Sequence, residues 1–121
     1  MAVQIKRAYA DAEPGDGFRV LVDRLWPRGV SRERAALDLW LKDAAPSPAL
    51  RTWWGHDPAR LDEFAARYRA ELESAPAAVA AVAELRRLAT ANPTLTLVYG
   101  ARDPLVNHAA VLRDYLVGAS A

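Results

Sequence analysis

The residues best suited to chemistry stand in two short segments, each directly after an apolar run with the composition of a strand. The first segment carries Arg24, Trp26 and Arg28 and follows the run 18–22. Guanidinium groups are planar and permanently charged, so they can hold a carboxylate or a phosphate by paired hydrogen bonds, and the indole adds a rigid apolar surface beside them. This segment therefore indicates a site that attracts a small anion.

The second segment follows the apolar run 95–99 and begins with Arg102 and Asp103, with Asn107 and His108 a few residues later. In open α/β sheets, ligands bind beyond the carboxyl ends of the strands. If the two strands are parallel neighbours, both segments meet there, and Arg102 joins the two earlier arginines around an anion. The competing interpretation for each arginine is a structural ion pair. Its candidate partners are Asp23, Asp38 and Asp43.

Histidine occurs only twice, as His56 and His108. His108 falls at the edge of the apolar stripe of the last expected helix, so it is either a packed side chain held by one hydrogen bond or a metal ligand or acid–base group. Two imidazoles and one carboxylate, such as Asp103, would suit iron or zinc if the three groups meet in space. Asp57 and Asp103 are each also explained as helix caps, and the spacing contains no local metal-binding motif.

Strands and helices must alternate to position these groups. Apolar runs with alternating or β-branched residues predict strands at 3–7, 18–22 and 95–99, and the ambiguous run 36–41 is interpreted as a strand. Strands separated by helices favour parallel pairing through crossover connections. The prediction is therefore an α/β fold with three layers, in which helices flank a mostly parallel central sheet and the run 18–22 is the central strand.

Capping residues predict where the helices begin. Ser47 with Pro48 opens a short helix that ends at Trp54, and Asp57 with Pro58 opens a long one. The long helix is expected to face the core with Leu61, Phe64, Ala65, Tyr68 and Leu72. A helix that begins at Pro76 is expected to face the core with Val79, Val82 and Leu85. A last helix, capped by Asp103, is expected to face the core with Leu105, Ala109, Leu112 and Leu116.

Composition narrows the class of protein. The 121 residues are 52% hydrophobic, which is enough for one compact domain over 1–121. Sixteen Lys and Arg against 15 Asp and Glu leave a net charge of +1, so neither nucleic acid nor a membrane surface is an expected partner. The absence of Cys excludes disulfides and thiolate metal sites. The sequence shows neither a signal peptide nor a membrane span, and a cytoplasmic location is expected.

Several motifs follow one another in a definite order along the chain. They are the run 20–29, Trp40-Leu41-Lys42, Ala45-Pro46-Ser47, Leu50-Arg51, His56-Asp57-Pro58, Phe64, Arg67-Tyr68, Glu71-Leu72, and Asp103 with Asn107-His108-Ala109. Together they resemble the YeaO-like family, domain of unknown function 488, over nearly the whole chain. The family's motif positions in this chain are Asp23, Arg24, Trp26, Pro27, Arg28, His56, Asp103, Asn107 and His108.

The resemblance implies a small bacterial α/β domain whose reaction is unassigned. Some relatives look like metal-binding proteins with a nitrogen-rich iron site, which favours a first hypothesis. In it, His56, His108 and Asp103 bind iron or zinc, and the arginine and tryptophan side chains shape the pocket. Because the chain has only two histidines, a site of three imidazoles within one chain is impossible, and a third ligand of another kind is needed.

Two further hypotheses stay open. In one, the protein is an enzyme or a sensor that binds a small phosphate or carboxylate, with His108 moving a proton. Its ligand-binding residues would be Arg24, Trp26, Arg28, Arg102 and Asn107. In the other, the chain is a structural or partner-binding domain, and the tandem tryptophans Trp53 and Trp54 contribute to the interface of a homo-oligomer.

Overall fold

The computed structural model describes residues 2–118, and its sheet is built as the sequence predicts. The four strands in this part of the chain are β1 (Ala2–Arg7), β2 (Phe18–Leu21), β3 (Leu39–Trp40) and β4 (Thr94–Tyr99). They lie in the order β1, β4, β2, β3, and each neighbouring pair is parallel. The α/β class is therefore confirmed, and β4 shares with β2 the central place that was expected for β2 alone.

The helices begin largely where the capping residues predict. Those within residues 2–118 are α1 (Arg32–Ala35), α2 (Pro48–Trp54), α3 (Leu61–Ser74), α4 (Pro76–Ala91) and α5 (His108–Gly118). Ser47 Oγ accepts a hydrogen bond from the Leu50 N–H at the start of α2. Asp57 accepts one from the Ala59 N–H and opens a 3-10 turn that runs into α3. None of these helices is both long enough and apolar enough to cross a membrane.

The sheet separates a large core from a small one. Helices α2 to α5 cover one face, where their buried side chains pack against Val20, Leu95 and Leu97. On the opposite face Leu21 and Val98 pack under the connection between β2 and β3, which contains α1. This smaller core is completed by the half-buried side chains Trp26, Leu37 and Trp40. The three layers are therefore unequal, because one outer layer is mostly a single loop.

The tandem tryptophans have different surroundings. Trp54, the last residue of α2, is only 2% exposed, and its ring stacks on Phe64 with 3.8 Å between the centroids. Trp53 is half-buried, and the guanidinium groups of Arg67 and Arg60 lie 4.2 and 5.2 Å from the centroid of its ring. Trp54 is therefore a core residue, whereas Trp53 remains partly accessible, and the predicted oligomer interface stays a prediction.

A buried ion pair on the second face of the sheet was not anticipated from the sequence. Arg19 and Asp16 are each 4% exposed, and Arg19 Nη1 lies 2.6 Å from Asp16 Oδ2. Lys6 Nζ approaches the same carboxylate at 3.2 Å, and Arg19 also donates to the carbonyl oxygen of Ala35. Thr96 Oγ1 donates to the backbone carbonyl of Asp16 at 2.5 Å. These contacts join β1, β2, β4 and the loop between β1 and β2.

Two predicted core positions are wrong. Leu105 is 78% exposed, because α5 begins only at His108 and the preceding residues form a surface turn. Val79 is 43% exposed, since it lies to one side of the inward stripe of α4. Small side chains contribute much of that stripe, which consists of Ala78, Ala81, Val82, Leu85, Leu88 and Ala89. A pattern of large apolar residues alone does not identify such a face.

Candidate functional site

A cavity of about 340 Å³ lies at the carboxyl ends of the parallel strands. The segment 23–28 after β2 forms one wall, and Gly100 and Ala101 after β4 form another. The loop before α2 and the end of α2 close the side opposite the sheet, and His108 reaches in from the start of α5. Ligands of open α/β sheets bind at this end of the strands, where successive loops leave the sheet.

Asp23 and His108 connect the two central strand ends at the base of this cavity. Asp23 Oδ2 accepts a hydrogen bond from the Gly100 N–H at 2.8 Å. His108 Nε2 lies 3.0 Å from the carbonyl oxygen of Val22 and 3.1 Å from Asp23 Oδ1. Because a carbonyl oxygen can only accept, Nε2 carries a proton and donates it to Val22. Asp23 Oδ1 is buried beside this nitrogen and has no hydrogen-bond partner within residues 2–118.

Three guanidinium groups line the cavity without a carboxylate partner. Within residues 2–118, no ion pair joins Arg24, Arg28 or Arg51 to an acidic side chain. Arg24 Nη2 lies 3.5 Å from the carbonyl oxygens of Ala45 and Pro46, which is long for a hydrogen bond, and the buried Nε finds no acceptor in the described chain. The competing interpretation of these arginines as structural ion pairs is therefore not observed.

His56 reaches the cavity through an unusual backbone conformation. Gly55 ends α2 in the left-handed region, and His56 follows with the same φ of 56°. A side chain is uncommon at such an angle, although His tolerates it better than most residues. The imidazole then lies over Trp54, with 4.7 Å between the ring centroids. Trp54 therefore supports His56 on one side while it fills the core on the other.

The surroundings of His56 disfavour its charged form. Partial burial is the largest cause that lowers the pKa of His56 below its ordinary value of 6.5. Electrostatic interactions with His108 and Arg51 lower the pKa of His56 further, and the carboxylate of Asp23 opposes them. His56 is consequently neutral at pH 7 in the protein without a ligand.

Comparison with known proteins identifies the family. Residues 2–121 match the family described as the inactive DUF488-N3 subclade. The chain belongs to this family. It is 47% identical to the uncharacterised protein Rv3073c of Mycobacterium tuberculosis over 116 residues, which cover 96% of this chain and 94% of the relative. It is 40% identical to the uncharacterised protein YeaO of Escherichia coli, with 96% and 97% covered. The predicted YeaO-like membership is thus confirmed, and no solved structure matches the chain.

In this DUF488 protein, the cavity brings together only part of the predicted site. Its lining includes Arg24, Trp26, Arg28, His56 and His108. Trp26 is a lining residue whose ring packs edge-on against Trp40 in the small core, with 5.5 Å between the centroids, and its indole N–H donates to the carbonyl oxygen of Val30 at 2.7 Å. The indole is therefore held in place by the loop to which it belongs.

The other predicted residues of the DUF488 protein lie outside the cavity lining, in the turn that precedes α5. Arg102 and Asp103 are exposed there. Asp103 accepts hydrogen bonds from the Leu105 and Val106 N–H groups, which hold the pKa of its carboxyl below the ordinary value. Asn107 is fully buried, but it caps α5 by accepting from the Ala110 N–H, and it also donates to the carbonyl of Asp103. The late start of α5 explains this placement, because it leaves residues 101–107 as a surface turn.

Two cavity residues of the DUF488 protein are not predicted as site residues by the sequence. Arg51 belongs to one of the family-like motifs, and its position in α2, three residues before Trp54, places both on neighbouring parts of the helix surface. Asp23 is predicted as an ion-pair partner for arginines, but in the structure its Oδ2 accepts from the Gly100 N–H and its Oδ1 lies 3.1 Å from His108 Nε2. Neither assignment follows from local sequence, because each depends on which loops meet at the strand ends.

The metal hypothesis gains no third ligand from the described chain. His56 and His108 line the same cavity, but Asp103 does not. Within residues 2–118, no group of three or more His, Asp or Glu side chains has the arrangement of a metal site. The prediction that iron or zinc binds here therefore stays a prediction.

Proposed function

We propose that this protein binds a small anion, a phosphate or carboxylate compound, in the cavity at the strand ends. The observation that carries the proposal is the convergence of Arg24, Arg28 and Arg51 on one cavity without carboxylate partners. Arg24 is half-buried and its buried Nε has no acceptor within residues 2–118, a cost that a bound anion would relieve. Arg28 and Arg51 are exposed, and they would add charge-assisted hydrogen bonds to the same anion. This is the anion alternative of the sequence analysis, with Arg51 in the place expected for Arg102.

The shape and lining of the cavity support a small organic anion. About 340 Å³ is within the range of small-molecule sites. Pro46 and Trp54 offer apolar walls beside the cations, and Leu25 is exposed nearby. Among the described residues, Asp23 is the one carboxylate of the lining; its Oδ2 accepts from the Gly100 N–H, and it forms no ion pair with an arginine. The ligand expected from these features combines an anionic group with an apolar part.

Binding without turnover is the favoured form of this function. The family to which the chain belongs is described as an inactive subclade. In addition, His108 Nε2 already donates to the carbonyl oxygen of Val22, which occupies that nitrogen in the folded protein. A sensor or carrier of small anions is therefore proposed in preference to an enzyme.

Replacing Arg24 by Gln is expected to weaken anion binding by about 10- to 100-fold, because one hydrogen bond to a charged group contributes roughly 1.5–3 kcal/mol. The measurement is the rise in the unfolding temperature on titration with sodium sulfate or sodium phosphate at low ionic strength, since a ligand that binds only the folded state raises it. Arg102→Gln is the matched control, because Arg102 is an exposed arginine outside the cavity lining. An equal response of the two variants, or no response of the wild type, would contradict the proposal.

Metal binding by His56 and His108 is a second candidate, favoured by the shared cavity of the two imidazoles. Elemental analysis of protein purified without a histidine tag tests it directly. A stoichiometric metal that is lost in His56→Asn would support this candidate. Metal-free protein that still responds to sulfate would favour the anion.

A further inference from the structure

Asp23 has one carboxylate oxygen without a hydrogen-bond donor at the base of the cavity. Its backbone oxygen accepts from the Trp40 indole N–H at 2.7 Å, and its Oδ2 accepts from the Gly100 N–H at 2.8 Å. A Cβ on Gly100 would lie 3.0 Å from Oδ2, so the lack of a side chain there lets the carboxylate approach the end of β4. These contacts fix the carboxylate and leave Oδ1 as a buried acceptor with no partner among residues 2–118.

His108 does not satisfy this oxygen. Its Nε2 lies 3.1 Å from Asp23 Oδ1, but the proton on Nε2 is donated to the carbonyl oxygen of Val22. An ionised carboxylate accepts hydrogen bonds and does not donate them, so the missing group is a donor. A buried acceptor without a donor costs free energy, and a ligand that brings a donor recovers that cost.

The next residue along the chain has the opposite deficit. Arg24 Nε is a buried donor without an acceptor among residues 2–118, and no ion pair there joins Arg24 to Asp23. Both residues line the cavity, and consecutive Cα atoms are about 3.8 Å apart. One small ligand can therefore reach both side chains, provided that it carries an acceptor for Arg24 and a donor for Asp23 next to each other.

We propose that the anion bound in this cavity carries a hydroxyl group next to its anionic group, with Arg24 holding the anionic group and Asp23 Oδ1 accepting from the hydroxyl. This inference rests on the proposed function and names the class of its ligand. An anion without such a donor would meet the Asp23 carboxylate directly, and the two negative charges would repel each other. The cavity therefore discriminates against anions of similar shape that lack the hydroxyl. An α-hydroxy carboxylate and a phosphate ester with a neighbouring hydroxyl share this chemistry.

Isothermal titration calorimetry with two pairs of ligands measures the contribution of the hydroxyl. Phenyllactate and phenylpropionate share a carboxylate and an aromatic ring and differ by the hydroxyl, and each enantiomer of phenyllactate is titrated. Propanediol phosphate and propyl phosphate are the corresponding pair of phosphate esters. The wild type is expected to bind the hydroxylated member of a pair about 10- to 100-fold more tightly, because the hydroxyl donates to a charged acceptor. The pair with the larger ratio identifies the ligand as a hydroxy carboxylate or a hydroxylated phosphate ester.

Asp23→Asn tests the acceptor in the same titrations. The amide oxygen can keep the hydrogen bond from the Gly100 N–H, so the amide NH₂ takes the place of Oδ1 and the negative charge is lost. The ligand without the hydroxyl should then bind more tightly than it binds to the wild type, and the ratio within each pair should approach one. A purely structural effect would weaken both members of a pair equally.

Asp62→Asn is the matched control, because Asp62 is exposed on α3 and lies outside the cavity lining. Its ratios should equal those of the wild type, and thermal unfolding verifies that each variant is folded. If neither sulfate nor any of the organic anions binds the wild type, the proposed function fails and the inference fails with it. If anions bind but the hydroxylated member of neither pair binds more tightly, only this inference is overturned. Unchanged ratios in Asp23→Asn would also overturn it, because the hydroxyl would then be recognised elsewhere.

Discussion

Replacing Asp16 by Ala is expected to lower the free energy of unfolding by about 3–5 kcal/mol, because it removes one member of a buried ion pair and leaves Arg19 charged and unpaired. Both side chains are almost completely buried, and Arg19 Nη1 lies 2.6 Å from the carboxylate. Lys6 loses the same partner. Urea denaturation measures the loss as a lower midpoint with an unchanged slope.

An exposed ion pair provides the control for this variant. Glu63 and Arg67 are one helical turn apart in α3, and both are about half-exposed. Glu63→Ala also removes a carboxylate from an arginine, but solvent and salt screen such a pair, so the midpoint should change little. Similar losses in Asp16→Ala and Glu63→Ala would show that the buried position of the Asp16 pair does not matter.

The loss of stability in acid should depend on the same ion pair. Burial alone would raise the pKa of Asp16, but hydrogen bonds from the Glu13 N–H, Lys6 and Arg19 outweigh it and hold the pKa below the ordinary value of 3.8. A carboxyl whose pKa is lower in the folded state contributes stability above its unfolded pKa, and that contribution is lost as the pH falls through the folded value. The wild type should therefore lose more stability on acidification below about pH 4 than Asp16→Ala does.

Replacing Trp54 by Ala is expected to cost about 3–5 kcal/mol of unfolding free energy, since it removes a large buried aromatic side chain and leaves a cavity. Trp54 stacks on Phe64 in the large core and also contacts the His56 ring at the cavity where we propose that an anion binds. The variant should consequently lose sulfate binding as well as stability. Chemical denaturation and the sulfate-induced rise in unfolding temperature measure the two effects.

The neighbouring Trp53 offers a matched control of the same residue type. Its ring is half-buried under Arg60 and Arg67, so Trp53→Ala removes cation–π contacts and partial burial but opens no cavity in the core. A clearly smaller loss of stability, with sulfate binding retained, is expected. Comparable losses of unfolding free energy in the two variants would mean that the burial of Trp54 in the core does not add to its contribution to stability.

Much of the fold could be predicted because the signals are local. Ser47 predicts the start of α2, and Asp57 predicts the start of the turn that leads into α3. A capping residue acts through hydrogen bonds to N–H groups two or three residues away. The apolar runs identify β2 and β4, because backbone and side-chain preferences act within a few residues. Parallel pairing then follows from the helical segments between the strands.

The candidate site could be predicted only in part, because its membership depends on where loops turn. The segment with Arg24 and Arg28 reaches the cavity directly from β2, so its place follows once the strand is known. Arg102 was expected there by the same reasoning after β4. It points elsewhere because the chain forms a surface turn before α5, with Asn107 rather than Asp103 as the cap of the helix.

The sequence by itself determined the α/β class, the order of strands and helices, the family, and the presence of a cationic, tryptophan-containing segment at a strand end. The class and the elements follow from the composition or spacing of residues that are close together in the chain, and the family follows from motifs in a definite order. Only the tertiary structure decided that Arg51 joins that segment while Arg102 does not, and that Asp16 and Arg19 pair inside the protein. Such partnerships depend on the directions of side chains from separate elements, and local propensities carry no information about those directions.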